Sequence, residues 1–123
     1  KLVSMKVCSE TGEIPHARLV FTDNGAEKRA DGDGSGPVDA AFKALESVVV
    51  SGANLLLYSV NNITSGTDAQ GEVTVQLKFN GQSVVGRGAH PDVIVASAKA
   101  YINALNRLEF LKDNIKKVKV ELS

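Results

Sequence analysis

Two stretches decide the fold, Asp31-Gly32-Asp33-Gly34-Ser35-Gly36-Pro37 and Gly86-Arg87-Gly88-Ala89-His90-Pro91, because each carries Gly-x-Gly-x-x-Pro ahead of an apolar run. At an offset of 54, Gly32, Gly34, Pro37 and Ala44 recur as Gly86, Gly88, Pro91 and Ala98. Self-similarity at a fixed spacing marks a structural unit written more than once. Working outward, each copy has an Asn-Gly pair upstream, Asn24-Gly25 and Asn80-Gly81, residues that accept the positive φ of a type I′ turn. Each copy therefore contains a β-hairpin. Ahead of the second turn, Val73, Val75, Leu77 and Phe79 alternate with Glu72, Thr74, Gln76 and Lys78, the period of a strand with one buried face. Runs around Val3-Met5-Val7 and from Leu55 to Val60 add an opening strand to each copy, while Leu19 to Phe21 and Val84-Val85 fall in the hairpins.

Downstream of Pro37, the apolar positions Val38, Ala41, Leu45 and Val48 step by three and four. A proline suits a first helical turn, where its missing donor would be unpaired anyway, so a helix follows and ends near Gly52. After Pro91, the residues Ile94, Ala98, Tyr101, Leu105 and Leu108 form one stripe, opposite Lys99, Asn103 and Asn106. Ala96, Ala100 and Ala104 allow close approach of either a second helix or a sheet face. The expected class is α+β: two tandem βββα units, 1–52 and 53–108, with antiparallel sheets packed against helices. They form one domain over 1–108, followed by a C-terminal extension over 109–123.

A chain of 123 residues with 43% hydrophobic content is long enough to bury about two-thirds of its unfolded surface in one core. Fourteen basic and fourteen acidic residues cancel, so no basic field attracts nucleic acid or an anionic membrane. No apolar run approaches the ~20 residues that span a bilayer, and no charged-then-apolar leader opens the sequence. Cys8 is the single cysteine and has no internal partner, which fits a reducing compartment and predicts a cytoplasmic location. The start at Lys1, without methionine and already in a strand pattern, predicts a piece of something longer.

Few residues carry chemistry. Asp31-Gly32-Asp33-Gly34-Ser35-Gly36 imitates the start of a calcium loop, but the twelfth position is Phe42 where a bidentate glutamate belongs, and Pro37 opens a helix inside the would-be loop. The same glycines lack the last spacing of a dinucleotide fingerprint and follow an antiparallel strand. What remains is the physical half of that motif: glycines admit a ligand to the backbone, and helix-start N–H groups favour an anion such as a carboxylate. Against that stands the plainer role of glycines that only permit the turn. His16 and His90 have no metal-ligand partner at the required spacing, and Cys8 reads as a small buried hydrophobe in an alternating strand. Asn62-Ile63-Thr64 matches a glycosylation sequon that has no secretory leader to act on it. No acid–base pair or nucleophile elbow is present, so the chain itself is expected not to be an enzyme.

Gly34-Ser35-Gly36-Pro37-Val38-Asp39-Ala40, Asp68-Ala69-Gln70-Gly71 and Gly86 to Ser97 with Ala100 to Asn106 together resemble the C-terminal leucine-sensing regulatory domain of 2-isopropylmalate synthases. The resemblance covers roughly Lys1 to Leu108. It implies a parent acyltransferase of leucine biosynthesis, whose TIM barrel condenses acetyl-CoA with 2-oxoisovalerate using a divalent metal. It further implies that this fragment holds no cofactor and that leucine acts as a feedback effector bound between the two units near a homodimer interface. Carried over by matching motif, the effector site is Gly34, Ser35, Gly36, Val38 and Asp39 from the first unit. Leu55, Tyr58, Asn62, Ala69, Gly71, Ala89, His90 and Asp92 complete it from the second. His90-Pro91 stands where the family more usually has a small polar pair. Related citramalate synthases use such a domain for isoleucine, a distinction worth only about 1–3 kcal/mol in an apolar pocket. A purely structural dimerisation domain is the remaining alternative.

Overall fold

The computed structural model describes the backbone over residues 2–8, 12–23, 25–49, 51–63 and 70–122, and side chains over 12–22, 25–49, 51–61 and 70–112. Three strands, β1 (Leu2–Cys8), β2 (His16–Asp23) and β3 (Ala26–Asp33), lead into helix α1 (Pro37–Val48). Three more, β4 (Asn54–Ile63), β5 (Gln70–Phe79) and β6 (Gln82–His90), lead into helix α2 (Val93–Leu122). Each unit forms its own antiparallel sheet, in the orders β1-β2-β3 and β4-β5-β6. The expected tandem βββα architecture is the observed one.

Local chemistry accounts for the elements. Asn80 and Gly81 sit at φ 49° and 79°, the two positive values a tight hairpin turn requires, and Gly25 repeats this at 81°. Asn24 lies outside the described residues. The inward rows Ala17-Leu19-Phe21 of β2 and Val73-Val75-Leu77 of β5 are buried, so the alternation seen in β5 reports a true inner face. Together with Ala40, Ala41, Phe42, Ala44 and Leu45 of α1 and Ala96 to Leu105 of α2 they make one continuous cluster.

The repeat is real, but its spacing is 56 and not 54. Asn24 aligns with Asn80, the helix starts Pro37 and Val93 align, and so do the residues just before them, Gly36 and Asp92. Packing explains the shift. A Cβ on Gly32 would strike the backbone of Ala44 and come within 3.0 Å of Ala40 O, and a Cβ on Gly88 would lie 2.5 Å from Ala96 O and 2.7 Å from Ala100 N. Gly32 and Gly88 are thus the equivalent pair, each pressing a strand onto two helix alanines one turn apart. Gly86 adds a second such contact on Ala100 and Ala104, where the first unit has the buried Ala30. The small residues of α2 therefore admit a sheet face. Pro37 opens α1, whereas Pro91 stands outside α2, one residue before Asp92.

α1 stops at Val48, short of Gly52. The carboxylate of Glu46 turns back to accept from Ser51 Oγ at 2.7 Å and Ser51 N at 3.3 Å, and Ser51 Oγ accepts from Ala53 N at 3.1 Å. A side-chain acceptor has drawn the chain out of helix, leaving Gly52 at φ +72° in the connection. The boundary expected at 108/109 falls inside α2, which runs unbroken to Leu122 over 30 residues. From it Lys112 Nζ donates to Ser51 O at 2.7 Å and lies 4.0 Å from the centre of the Phe79 ring. Among the described residues no helix is long and apolar enough to cross a membrane.

Candidate functional site

α1 and α2 lie side by side and run in the same sense. Phe42 stacks on Tyr101 at 4.5 Å between centroids, and nine residues further on Ser51 meets Lys112. Parallel neighbours bring both helix N-termini to one end of the pair. Here Tyr58, on the inner face of β4, crosses between the units. Its ring meets the edge of Phe42 at 5.8 Å, and its hydroxyl donates to Ser97 Oγ at 2.7 Å while Ser97 Oγ donates to Val93 O at 2.7 Å. Ser97 is fully buried, so this chain of hydroxyls satisfies it completely.

The two helix entrances differ. At α1 the residue preceding the helix is Gly36, extended at φ −155°, with no side chain capping the first N–H groups. Asp39 instead reaches outward: its Oδ2 accepts from Ser35 N at 2.9 Å and Ser35 Oγ at 3.3 Å and pairs with Lys43 at 3.2 Å. The Ser35 hydrogen bond, helped by Lys43, holds the Asp39 carboxyl below its ordinary range. At α2, Asp92 Oδ1 accepts from Ile94 N at 2.8 Å and Val95 N at 3.4 Å, capping the helix with its own carboxylate. His90 Nδ1 accepts from Asp92 N at 3.0 Å, which orients this entrance from the end of β6. An anion therefore finds the first helical N–H groups uncapped at the first entrance, beside the Asp39 carboxylate that holds Ser35 N, and capped by the Asp92 carboxylate at the second.

The thirteen residues carried over by motif divide accordingly. Gly34, Ser35, Gly36, Val38 and Asp39 gather at the start of α1, with Gly34 so close beneath Asp39 and Ala40 that a Cβ would strike them. Gly71 and His90 face each other across β5 and β6, with Asn62 opposite Gly71 on β4, and a Cβ on Gly71 would touch Val93 Cγ2 at 3.0 Å. These lie beside Asp92 at the start of α2. Tyr58 sits opposite Val75 in the middle of the strand. Leu55 pairs with Leu77, seven residues along β4 from Asn62, or about 20 Å at the rise of a strand. It stands apart from the Asn62–Gly71–His90 row. Ala89 is exposed on the sheet face turned away from α2, because it falls between the inward Gly88 and His90. Ala69 lies outside the described residues, as does the side chain of Asn62.

Other contacts escaped the sequence reading. Phe42 and Ser97 join Tyr58, and Glu46 accepts from Tyr101 Oη at 2.5 Å. Burial and then the Glu46 carboxylate push the Tyr101 phenol far up, so it stays a donor. Asp31 and Asp33 are the last residues of β3 and not part of a loop. On the outer sheet face His16 Nδ1 meets Asp33 Oδ1 at 2.6 Å and Nε2 meets Asp31 Oδ1 at 3.1 Å, while Arg18 Nε donates to Asp31 Oδ1 at 2.9 Å. Strand register, pairing His16 with Asp33 and Arg18 with Asp31, makes this exposed network. The available signal was the alternation of Arg18 with Leu19 and of Asp31 with Ala30.

The family described as "LeuA allosteric (dimerisation) domain" matches residues 1–109. The chain belongs to this family. Relatives of the LeuA domain seen here include the 2-isopropylmalate synthase of Thiobacillus denitrificans, 76% identical over 108 residues, which are 88% of this chain and 21% of that protein. Those of Chromobacterium violaceum, 64% identical over 108 residues (88% and 21%), and Dechloromonas aromatica, 56% identical over 116 residues (94% and 23%), are also similar. The LeuA domain thus spans about a fifth of the length of the relatives it matches.

Proposed function

We propose that this LeuA domain is the leucine-sensing module of a 2-isopropylmalate synthase and transmits feedback inhibition to a catalytic barrel elsewhere in the parent protein. The barrel would supply the divalent metal and the acetyl-CoA site, and the location would be cytoplasmic. The observation that carries the reading is Tyr58, a side chain of the second unit lodged between Phe42 of α1 and Ser97 of α2. A ligand there touches both halves at once.

The two entrances suit a zwitterion in one orientation. The effector carboxylate takes the main-chain donors from Gly36 into the first turn of α1, where no side chain caps the helix, and the ammonium turns toward the Asp92 carboxylate. Val38 and Tyr58, each partly buried against the core, offer the branched side chain an apolar wall. Binding across both units would bias how the domain packs on its parent, and couplings of this kind are of order 1–3 kcal/mol.

Calorimetric titration with leucine, isoleucine and valine tests the reading, paired with Gly36→Ala. A Cβ at Gly36 meets nothing within 4 Å, so the variant keeps its fold while intruding on the open donors. Saturable heat with leucine, weakened about tenfold or more by Gly36→Ala, is expected for a loss of about 1.4 kcal/mol. Preference for isoleucine would reassign the module to a citramalate synthase. Silence toward all three amino acids at millimolar levels would leave a structural dimerisation domain.

A further inference from the structure

We infer that His16 is a positioning residue for the entrance of α1 and that the proton on its ring is an input to effector binding there. The inference rests on the effector reading of that entrance and adds a side chain that lies outside it, on the outer face of the first sheet.

The ring stands between two carboxylates. Nδ1 is 2.6 Å from Asp33 Oδ1 and Nε2 is 3.1 Å from Asp31 Oδ1. A neutral imidazole carries one N–H and one lone pair, and only the imidazolium donates from both nitrogens. Both contacts are therefore hydrogen bonds only in the charged ring, and loss of the proton leaves a lone pair facing a carboxylate oxygen. Arg18 Nε holds Asp31 in place at 2.9 Å, so Asp31 cannot withdraw to relieve this, and the ring loosens its short contact with Asp33. The bonds to Asp33 and then Asp31 hold the proton above the ordinary value of 6.5, which sets the loosening on the alkaline side. The other charged and titratable groups around the ring are Arg29 on β3, Cys8 and Lys6 at the register positions opposite His16 and Arg18 on β1, and Glu13 in the connection ahead of Pro15. α1 packs on the opposite face of the sheet, with Asp39 and Lys43 paired to each other.

Asp33 ends β3 and leads directly into the α1 entrance. Gly34 N donates to Pro15 O at 3.0 Å, so Pro15 and His16 hold Asp33 and Gly34 by one main-chain and one side-chain bond. Gly34 is itself buried against α1: a Cβ on it would strike Ala40 N and lie 2.7 Å from the Asp39 carboxylate. No slack separates this strand end from the first turn of the helix, so what loosens Asp33 displaces Gly34, Ser35 and Gly36. Those residues lead to the N–H groups that no side chain caps. The charged ring thus fixes the frame an incoming carboxylate meets, and by linkage a bound carboxylate favours the charged ring.

Leucine calorimetry on the chain between about pH 6 and 8.5, as wild type, His16→Gln and His16→Lys, tests the assignment. Wild-type affinity is expected to fall about fivefold as His16 loses its proton, the low end for coupled sites. Binding should also take up protons, read from the heats in buffers of different ionisation enthalpy. His16→Gln should bind weakly at every pH, and His16→Lys, charged throughout this range, should bind tightly at every pH. A merely structural histidine would weaken binding on substitution without shaping the pH profile. Wild-type affinity that is flat with pH, or a slope that survives in His16→Gln, overturns the inference and leaves the sensor standing. Silence toward leucine at every pH sinks the sensor and this input to it together. Should His16→Gln fail to fold, NMR on the wild type decides. Amides of Gly34, Ser35 and Gly36 that shift with the midpoint of the His16 ring support the inference, and amides indifferent to that midpoint refute it.

Discussion

Replacing Gly88 by alanine puts the helix–sheet spacing to a direct test. The added methyl would lie 2.5 Å from Ala96 O, 2.7 Å from Ala100 N and 2.9 Å from Lys99 Cβ. Ordinary contacts between such atoms are about 3.5 Å, so the methyl overlaps by most of an ångström. Two of the three obstacles are helix backbone, which cannot rotate aside as a flexible side chain would. β6 and α2 must separate, and the row Val73-Val75-Leu77, fully buried under the same helix, loses contact with it. Overpacking of well-filled interiors costs about 1–3 kcal/mol, and a backbone obstacle places this site at the upper end, about 3 kcal/mol. At roughly 4 °C per kcal/mol for a domain of this size, the midpoint should fall by about 12 °C. Urea and thermal unfolding followed by circular dichroism measure both. The comparison is Gly36→Ala, where the new methyl meets nothing within 4 Å and the backbone is extended at φ −155°. That variant should stay within about 1 kcal/mol of the wild type. If Gly88→Ala loses no more than Gly36→Ala, close approach at Gly88 does not set the spacing, and the equivalence of Gly32 with Gly88 loses its physical basis.

Tyr101→Phe keeps the stack on Phe42 but withdraws the hydroxyl from Glu46, whose carboxylate retains Ser51. A loss of about 1–2 kcal/mol in urea unfolding is expected, and no loss would mean that water replaces the phenol freely. The His16 ring is held above its ordinary value of 6.5 first by its hydrogen bond to Asp33 and then by that to Asp31. A raised folded value means that protonated His16 stabilises the fold fully below about pH 6.5, and that this is lost as pH rises through the folded value. NMR titration should show an elevated midpoint that drops in Asp33→Asn. An unchanged midpoint would mean the pair does not persist in solution.

Much of the fold was legible because its determinants are local. The turn residues Asn80-Gly81, the alternation from Glu72 to Phe79 and the stripe from Ile94 to Leu108 each state their structure within one or two turns of chain. The repeat was legible too, but its spacing was not. At 54 both Gly32 and Gly34 meet glycines, at 56 only Gly32 does, and it is the contact of Gly32 with Ala40 and Ala44 and of Gly88 with Ala96 and Ala100 that selects 56. The end of α1 was misplaced because the Glu46–Ser51 hydrogen bonds, invisible in periodicity, outcompete the next helical turn.

The candidate site was legible at its entrances and not between them. Gly34 to Asp39 and His90 to Asp92 sit at helix starts, and sequence by itself determined them through turn residues and the first helical turn. It equally determined the class of the chain, two βββα units, and the lack of any charge on β4. Tertiary structure alone decided that Tyr58 reaches Phe42 and Ser97, that Leu55 lies about 20 Å from the Asn62 row, and that Ala89 faces away. It also decided that Leu55, Leu56, Leu57 and Val60 of β4 are exposed while Tyr58 of the same strand packs against the core. Those outcomes depend on register and on how two helices dock, and both are set by side chains far apart in the chain.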